Sequence, residues 1–200
     1  KMDNVEKYVD HINLSFDGPE KVHDEIRGEG SYKKLMSVVE FCREKKISVS
    51  FLCVISKCNL ESIDFVIAKA KELKIPVMFQ PATLHLDSSN LPNPIAPPVT
   101  EYRKVMERII EAKKKGEWIR NSLSGLKYLA NWPEPAPIWC PAGRLTITIE
   151  PDGTIFSCHL YEFPNTKGTN PVCTDTNDFN NMLRELVIPT SCNRCWCAPL

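Results

Sequence analysis

The sequence predicts an α/β fold followed by a small cysteine-bearing α+β region. Three observations point there. Residues 11–80 alternate strand and helix patterns, with crossovers long enough for parallel pairing. Prolines cluster at Pro92 to Pro98 and at Pro133 to Pro141, and these clusters read as boundaries. Six of the nine cysteines fall between Cys140 and Cys197.

The elements follow in order. His11 to Phe16 alternates, with Ile12, Leu14 and Phe16 on one face and Asn13 and Ser15 on the other. Asp17-Gly18-Pro19 turns the chain into a short polar helix through His23 to Arg27, stopped by Gly28 and Gly30. Ser31 is the expected cap of a helix to about Lys46, with Leu35, Val38, Val39 and Cys42 as its apolar stripe. Ile47 to Val54 is a β-branched, apolar run suited to a buried strand. Asn59 is the expected cap of a helix presenting Leu60, Ile63, Val66, Ile67, Ala70 and Leu73. Ile75 to Phe79 is the third strand.

Right-handed crossovers are expected between these strands. Three strands are too few for a complete barrel, and the chain opens almost directly in a strand, so the amino-terminal part of the domain is expected to be missing. No Gly-x-Gly-x-x-Gly or Walker loop is present, which disfavours a nucleotide-phosphate fold. Thr100 is the expected cap of a charged helix holding Tyr102, Val105, Ile109 and Ile110, and a further helix is expected around Ile119, Leu123 and Leu126. Arg144 to Glu150 alternates, and Pro151-Asp152-Gly153 turns it into Thr154 to Cys158 as a hairpin. One short helix is expected over Asp178 to Leu186.

The totals exclude several functions. With 25 basic and 25 acidic residues the formal net charge is zero, so bulk electrostatics offers nucleic acid no attraction. No apolar run approaches ~20 residues, so no membrane span is expected. No signal peptide is visible, and the odd cysteine count argues against a disulfide framework. A reducing cytoplasm is the expected setting.

Cysteine spacing supplies the chemistry. Cys140-x12-Gly153-x4-Cys158 frames the hairpin, and Cys192-x2-Cys195 can chelate from one loop. Those four sulfurs form the expected metal site, with Cys197 and Cys173 as substitutes or second-site candidates. Spacing alone does not separate an iron–sulfur cluster from structural zinc. A non-enzymatic zinc-ribbon module is therefore the alternative function. Cys42, Cys53 and Cys58 read as small buried apolar residues, and Trp132, Trp139 and Trp196 as packing around a small cysteine-held core.

The run Ile12-Asn13-Leu14-Ser15-Phe16-Asp17-Gly18-Pro19-Glu20-x2-His23-Asp24-x2-Arg27-Gly28, followed by the Cys140–Cys158 hairpin, resembles the radical S-adenosylmethionine superfamily. The likeness is in particular to maturases with a C-terminal twitch or SPASM domain, and it covers almost the whole chain. It implies the C-terminal part of a partial (β/α)6 TIM-like barrel, then a twitch/SPASM-like iron–sulfur domain. The expected division is 1–98 for the barrel part, 99–131 for linking helices and 132–200 for the iron–sulfur domain. The family's Cys-x3-Cys-x2-Cys motif is absent here, as is a Gly-Gly-Glu-like segment. The tail Cys192-x2-Cys195-x-Cys197 fits the one-cluster twitch form better than a full SPASM domain.

What the resemblance implies is specific. Ser15 matches the strand-end serine that contacts the amino-acid moiety of S-adenosylmethionine, and Arg27 matches the arginine on its carboxylate. Without the resemblance, Arg27 reads equally well as a surface ion pair with Asp24 or Glu25. Asp17 and Gly18 shape the turn, His23 fixes the loop, and Leu84 touches the adenine. Cys140, Cys158, Cys192 and Cys195 bind an auxiliary [4Fe-4S] cluster, while a second [4Fe-4S] cluster belongs to the missing region. In some sulfatase-type maturases an aspartate occupies the position of His159 and takes a proton from the substrate; His159 is the matching general base, or a plain hydrogen-bonder to a cluster sulfur. The implied activity is hydrogen abstraction from a peptide or small-molecule substrate, most simply in peptide or protein maturation. The implied partner is an electron donor such as flavodoxin or ferredoxin. This chain alone is expected to be inactive.

Overall fold

A computed structural model of the chain describes residues 7–84, 91–134, 144–149 and 154–157. The chain divides into two compact units. The first takes in residues 7–84 and 92–134, and the second holds the two short strands beyond residue 143.

The first unit is a mixed α/β layer. Strand β1 is His11–Ser15, helix α1 Glu20–Arg27, helix α2 Ser31–Lys45, strand β2 Ser48–Ile55, helix α3 Ile63–Leu73 and strand β3 Val77–Pro81. Helices α4 (Val99–Lys114) and α5 (Leu123–Leu129) follow. The three strands form a parallel sheet in the order β1-β2-β3. In its register Ser15, Leu52 and Met78 share one row. The strand–helix–strand alternation expected for residues 11–80 is thus present. Among the described residues no strand pairs with the far side of β1.

Strand alternation splits the sheet into two unlike faces. Leu14, Phe16, Val49, Phe51, Cys53, Ile55, Val77 and Phe79 join the hydrophobic core. The helices bring Val39, Ile63, Val66, Met106, Ile109, Leu126 and Leu129 to the same cluster. The opposite face carries His11, Asn13 and Ser15 on β1 and Ser48 and Ser50 on β2. A sheet buried on both faces by apolar layers would carry continuous apolar strands. Here one face is polar at its amino-terminal rows.

Local corrections to the sequence reading have physical causes. Ser31 does not cap α2; it is the first helical residue. The carboxylate of Asp24 does the capping from α1, accepting from the Gly30 and Tyr32 amides at 2.8 Å and from the Ser31 hydroxyl at 3.0 Å. Those bonds hold the Asp24 carboxyl below its usual range, the Tyr32 amide contributing most. Thr100 lies inside α4, whose cap position is Pro98. Ile119 is not helical. Residues 118–120 run beside β3, with Val77 N–H donating to Trp118 O and Arg120 N–H donating to Val77 O. Asn121 then extends the ladder with its side chain, accepting from Phe79 N–H at 2.8 Å and donating to Phe79 O at 3.0 Å.

Trp132 also departs from expectation. It is fully buried in the first unit, with its ring 4.9 Å from that of Tyr102 on α4. Tyr102 in turn donates its hydroxyl to Leu129 O. Trp139 and Trp196 lie outside the described residues.

In the second unit, β4 (Thr148–Ile149) and β5 (Ile155–Phe156) pair antiparallel, Thr148 opposite Phe156 and Ile149 opposite Ile155. Ile155 is buried, whereas Leu145 and Ile149 are exposed. The turn between them and the helix expected at 178–186 lie outside the described residues. Among the described residues no helix is long and apolar enough to cross a membrane.

Candidate functional site at the carboxyl ends of the strands

The carboxyl ends of β1, β2 and β3 lead into the loops that carry the sequence-predicted residues. Ser15 ends β1. Its neighbours Leu14 and Phe16 enter the core, so alternation turns Ser15 to the opposite face. Among the described residues its hydroxyl makes no hydrogen bond.

Two residues on, Asp17 is buried and acts as a hub. Its Oδ2 accepts from Arg27 Nε at 2.6 Å, and its Oδ1 accepts from the Val54 amide of β2 at 3.0 Å. Asp17 therefore fixes both the end of β2 and the guanidinium of Arg27. The ion pair is not with Asp24 or Glu25. Only Nε of Arg27 is committed, and its two terminal nitrogens make no bond among the described residues. An arginine held by its Nε and open at its fork is suited to a carboxylate or phosphate.

His23 sits beneath this pair. Its Nδ1 accepts from the Asp17 amide at 3.3 Å, which places the ring proton on Nε2. Burial pushes the imidazole below its usual range, Asp17 opposes that shift and Arg27 adds to it. His23 is a neutral loop-fixer at neutral pH. Gly18 is required by close approach: a Cβ there would lie 3.0 Å from Val22 Cγ1 and 3.2 Å from Ser62 Cβ.

Asn59 ties the loops together rather than capping a helix. Its amide donates to Asp17 O at 3.1 Å and to Val54 O at 3.0 Å, and its oxygen accepts from the Ser56 amide at 2.9 Å. The next loop is cinched similarly. Asn93 donates its side-chain amide to Thr83 O and its backbone amide to Leu84 O, while the Lys57 amide donates to Ile95 O. Leu84 projects from this loop and is exposed. The described foot of the proline-rich loop is therefore fastened to the ends of β2 and β3.

Comparison with solved structures places this arrangement. The enzyme anSMEcpe, solved with bound AdoMet and a Kp18Cys peptide, matches 76% of this chain over 45% of its own length, at 19% identity and a TM-score of 0.52. Streptococcus suis SuiB bound to S-adenosylmethionine matches 81% of this chain over 39% of its own, at 15% identity and a TM-score of 0.54. The chain shares the fold of these two S-adenosylmethionine-bound structures. The chain spans less than half the length of either structure. No family model and no curated protein matches the sequence.

The structure brings Ser15, Asp17 and Arg27 to one strand end. Cys140, Cys158, Cys192, Cys195, Cys173, Cys197 and His159 lie outside the described residues. Among the described residues no group of three or more metal-binding side chains occurs. Cys42 and Cys53 are buried, as expected, while Cys58 is exposed on the loop after β2. Burial drives the Cys53 thiol well above its usual range, and the Asp17 charge adds to that. Cys53 is fully buried in the core cluster and packs there.

Two site residues had roles that the sequence reading missed. Asp17 was read as a turn former and Asn59 as a cap. Both are short polar residues at strand-to-loop junctions, where such side chains bond the backbone locally. Among their partners, Val54 for Asp17 and Asp17 for Asn59 lie 37 and 42 positions away in sequence, which no local pattern encodes.

Proposed function

We propose that this chain is the C-terminal portion of a radical S-adenosylmethionine enzyme that abstracts hydrogen from a peptide or small-molecule substrate. The supporting observation is Arg27, held by buried Asp17 at the end of β1 with its fork open, on a maturase fold. In this reading Arg27 receives the cofactor carboxylate, Ser15 its amino-acid moiety, and Leu84 borders the adenine. Bound there, S-adenosylmethionine would supply a 5′-deoxyadenosyl radical once reduced by a cluster outside this chain. The end of β1 fixes Ser15, Asp17 fixes Arg27 at the end of α1, and the fastened loop at 92–98 helps exclude water from the strand ends.

Cys140, Cys158, Cys192 and Cys195 are proposed to hold an auxiliary [4Fe-4S] cluster. Four protein thiolates leave no open position, which suits electron transfer or structure rather than substrate coordination. His159, next to Cys158, is proposed as the general base toward the substrate. Peptide maturation is the favoured activity, since anSMEcpe is solved with a bound peptide. A flavodoxin or ferredoxin is the proposed electron donor, and residues 1–98, 99–131 and 132–200 the proposed barrel part, linking helices and iron–sulfur domain.

The test is anaerobic purification of the full-length protein, with metal analysis and calorimetric titration of S-adenosylmethionine. Iron with broad visible absorbance that bleaches on dithionite, and cofactor binding weakened by Arg27→Gln, are expected. A colourless protein with stoichiometric zinc and no cofactor binding overturns the reading in favour of a zinc-ribbon module.

A further inference from the structure

The amino-terminal rows of the parallel sheet carry a second polar constellation, at the end of the strands opposite Ser15. Arg120 enters from the segment beside β3 and reaches across the polar face. Its Nη1 donates to the fully buried Ser50 hydroxyl of β2 at 2.6 Å and to His11 Nε2 of β1 at 3.0 Å. His11 Nε2 also lies 3.2 Å from Asn13 Oδ1, and its Nδ1 lies 2.9 Å from the Ser48 hydroxyl. Neither anchor of Arg120 is a carboxylate.

That sets Arg120 apart within this unit. Arg27, Arg43, Arg103 and Arg108 each pair with a carboxylate. Arg120 has no acidic partner among the described residues, and its Nε and Nη2 make no bond there. Beside it opens a cavity of about 490 Å³, lined among others by His11, Arg43, Ser48, Ser50, Lys74 and Arg120, and by no acidic residue among those described. The volume falls within the usual range of small-molecule sites. Arg43 is accounted for: it binds Glu40 and covers the Leu73 carbonyl at the end of α3. That carbonyl end would otherwise repel an anion. Lys74, also in the lining, has no acidic partner among the described residues.

We propose that this cavity is a second ligand site, which takes a carboxylate or phosphate group on the fork of Arg120 with Lys74 in its lining. Ser50 and His11 hold the guanidinium in place without neutralising it, leaving its charge and two donor nitrogens for the ligand. A planar fork fixed in this way matches either anion in bidentate fashion. The inference is independent of the radical chemistry proposed at the other end of the strands. The competing account is a strut, in which Arg120 merely crosslinks the edge segment to β1 and β2.

The experiment titrates this chain with inorganic phosphate, with N-acetyl-glutamate α-amide and with the neutral glutamine counterpart, read by calorimetry and backbone nuclear magnetic resonance. Saturable binding of at least one anion and none of the glutamine compound is expected. Phosphate binding alone identifies a free phosphate group, and glutamate binding alone an acidic side chain; either supports the site. Arg120→Gln should weaken the anion at least about tenfold while the spectrum stays dispersed. Lys74→Gln should weaken it less. A strut would leave anion affinity alike in wild type and Arg120→Gln, and that result, or the absence of saturable anion binding, overturns the proposal. If Arg120→Gln fails to fold, Lys74→Gln and Ser50→Ala decide, and unchanged affinity in both overturns it.

Discussion

Arg27 Nε lies 2.6 Å from Asp17 Oδ2, and the carboxylate of that pair is buried while the guanidinium is partly open. The open half of Arg27 is thus aimed by a residue that cannot itself meet the ligand. Asp17→Asn keeps the shape and removes the charge that steers the fork. In the full-length protein the S-adenosylmethionine Kd should rise about tenfold, in line with one misdirected charge-assisted bond. Calorimetry checks this, and wild-type affinity in Asp17→Asn would separate Asp17 from the site.

Cysteine variants divide the chain's thiols by role. Cys192→Ala should lose cluster iron, whereas Cys53→Ala should keep it and cost about 1 kcal/mol of stability from the buried sulfur's lost contacts. Iron analysis and denaturant unfolding give the two numbers. Equal iron in both variants removes the proposed ligand assignment.

His23 makes stability depend on pH. Its folded pKa is lowered, chiefly by burial, so the unfolded chain takes up a proton first. Stability is therefore full above the unfolded value of about 6.5 and falls as the pH drops below it. The thermal midpoint should decrease from pH 7.5 to pH 5.5, and less so in His23→Gln. An identical slope in both proteins would assign the effect to other groups.

Asn121 replaces a stretch of strand with one side chain. Asn121→Ala leaves the buried Phe79 amide and carbonyl without partners, at a cost of about 2–4 kcal/mol. Denaturant midpoints measure the loss, and Asn121→Asp should recover only the half in which Phe79 N–H is the donor.

The sequence was most legible where period and length agreed. The β-branched run of β2 and the apolar stripes of α2 and α3 could be read directly, because each buries one face against the same core. Caps were less legible. Ser31, Asn59 and Thr100 all have the right side chain for a cap, yet a distant carboxylate, a loop knot and a proline hold those places. Ile119 fits a helix stripe as well as it fits a β-bridge, and three residues are too few for period to decide. Trp132 lies close to Cys140 in sequence but packs on Tyr102, a choice made by the tertiary fold. At the candidate site, Ser15 and Arg27 could be marked from the resemblance, while the Asp17 hold on Arg27 required the turn to be folded.

Phe16 gives its amide to Leu52 of β2, and successive residues of a strand point their amides to opposite sides. Leu14 is then shielded by β2, whereas the amides of Asn13 and Ser15 face away from it. Deuterium uptake along β1 should alternate accordingly, slow at Leu14 and Phe16 and fast at Asn13 and Ser15. Docking of another strand on that side would erase the alternation, so four amides report whether the sheet has acquired a further neighbour.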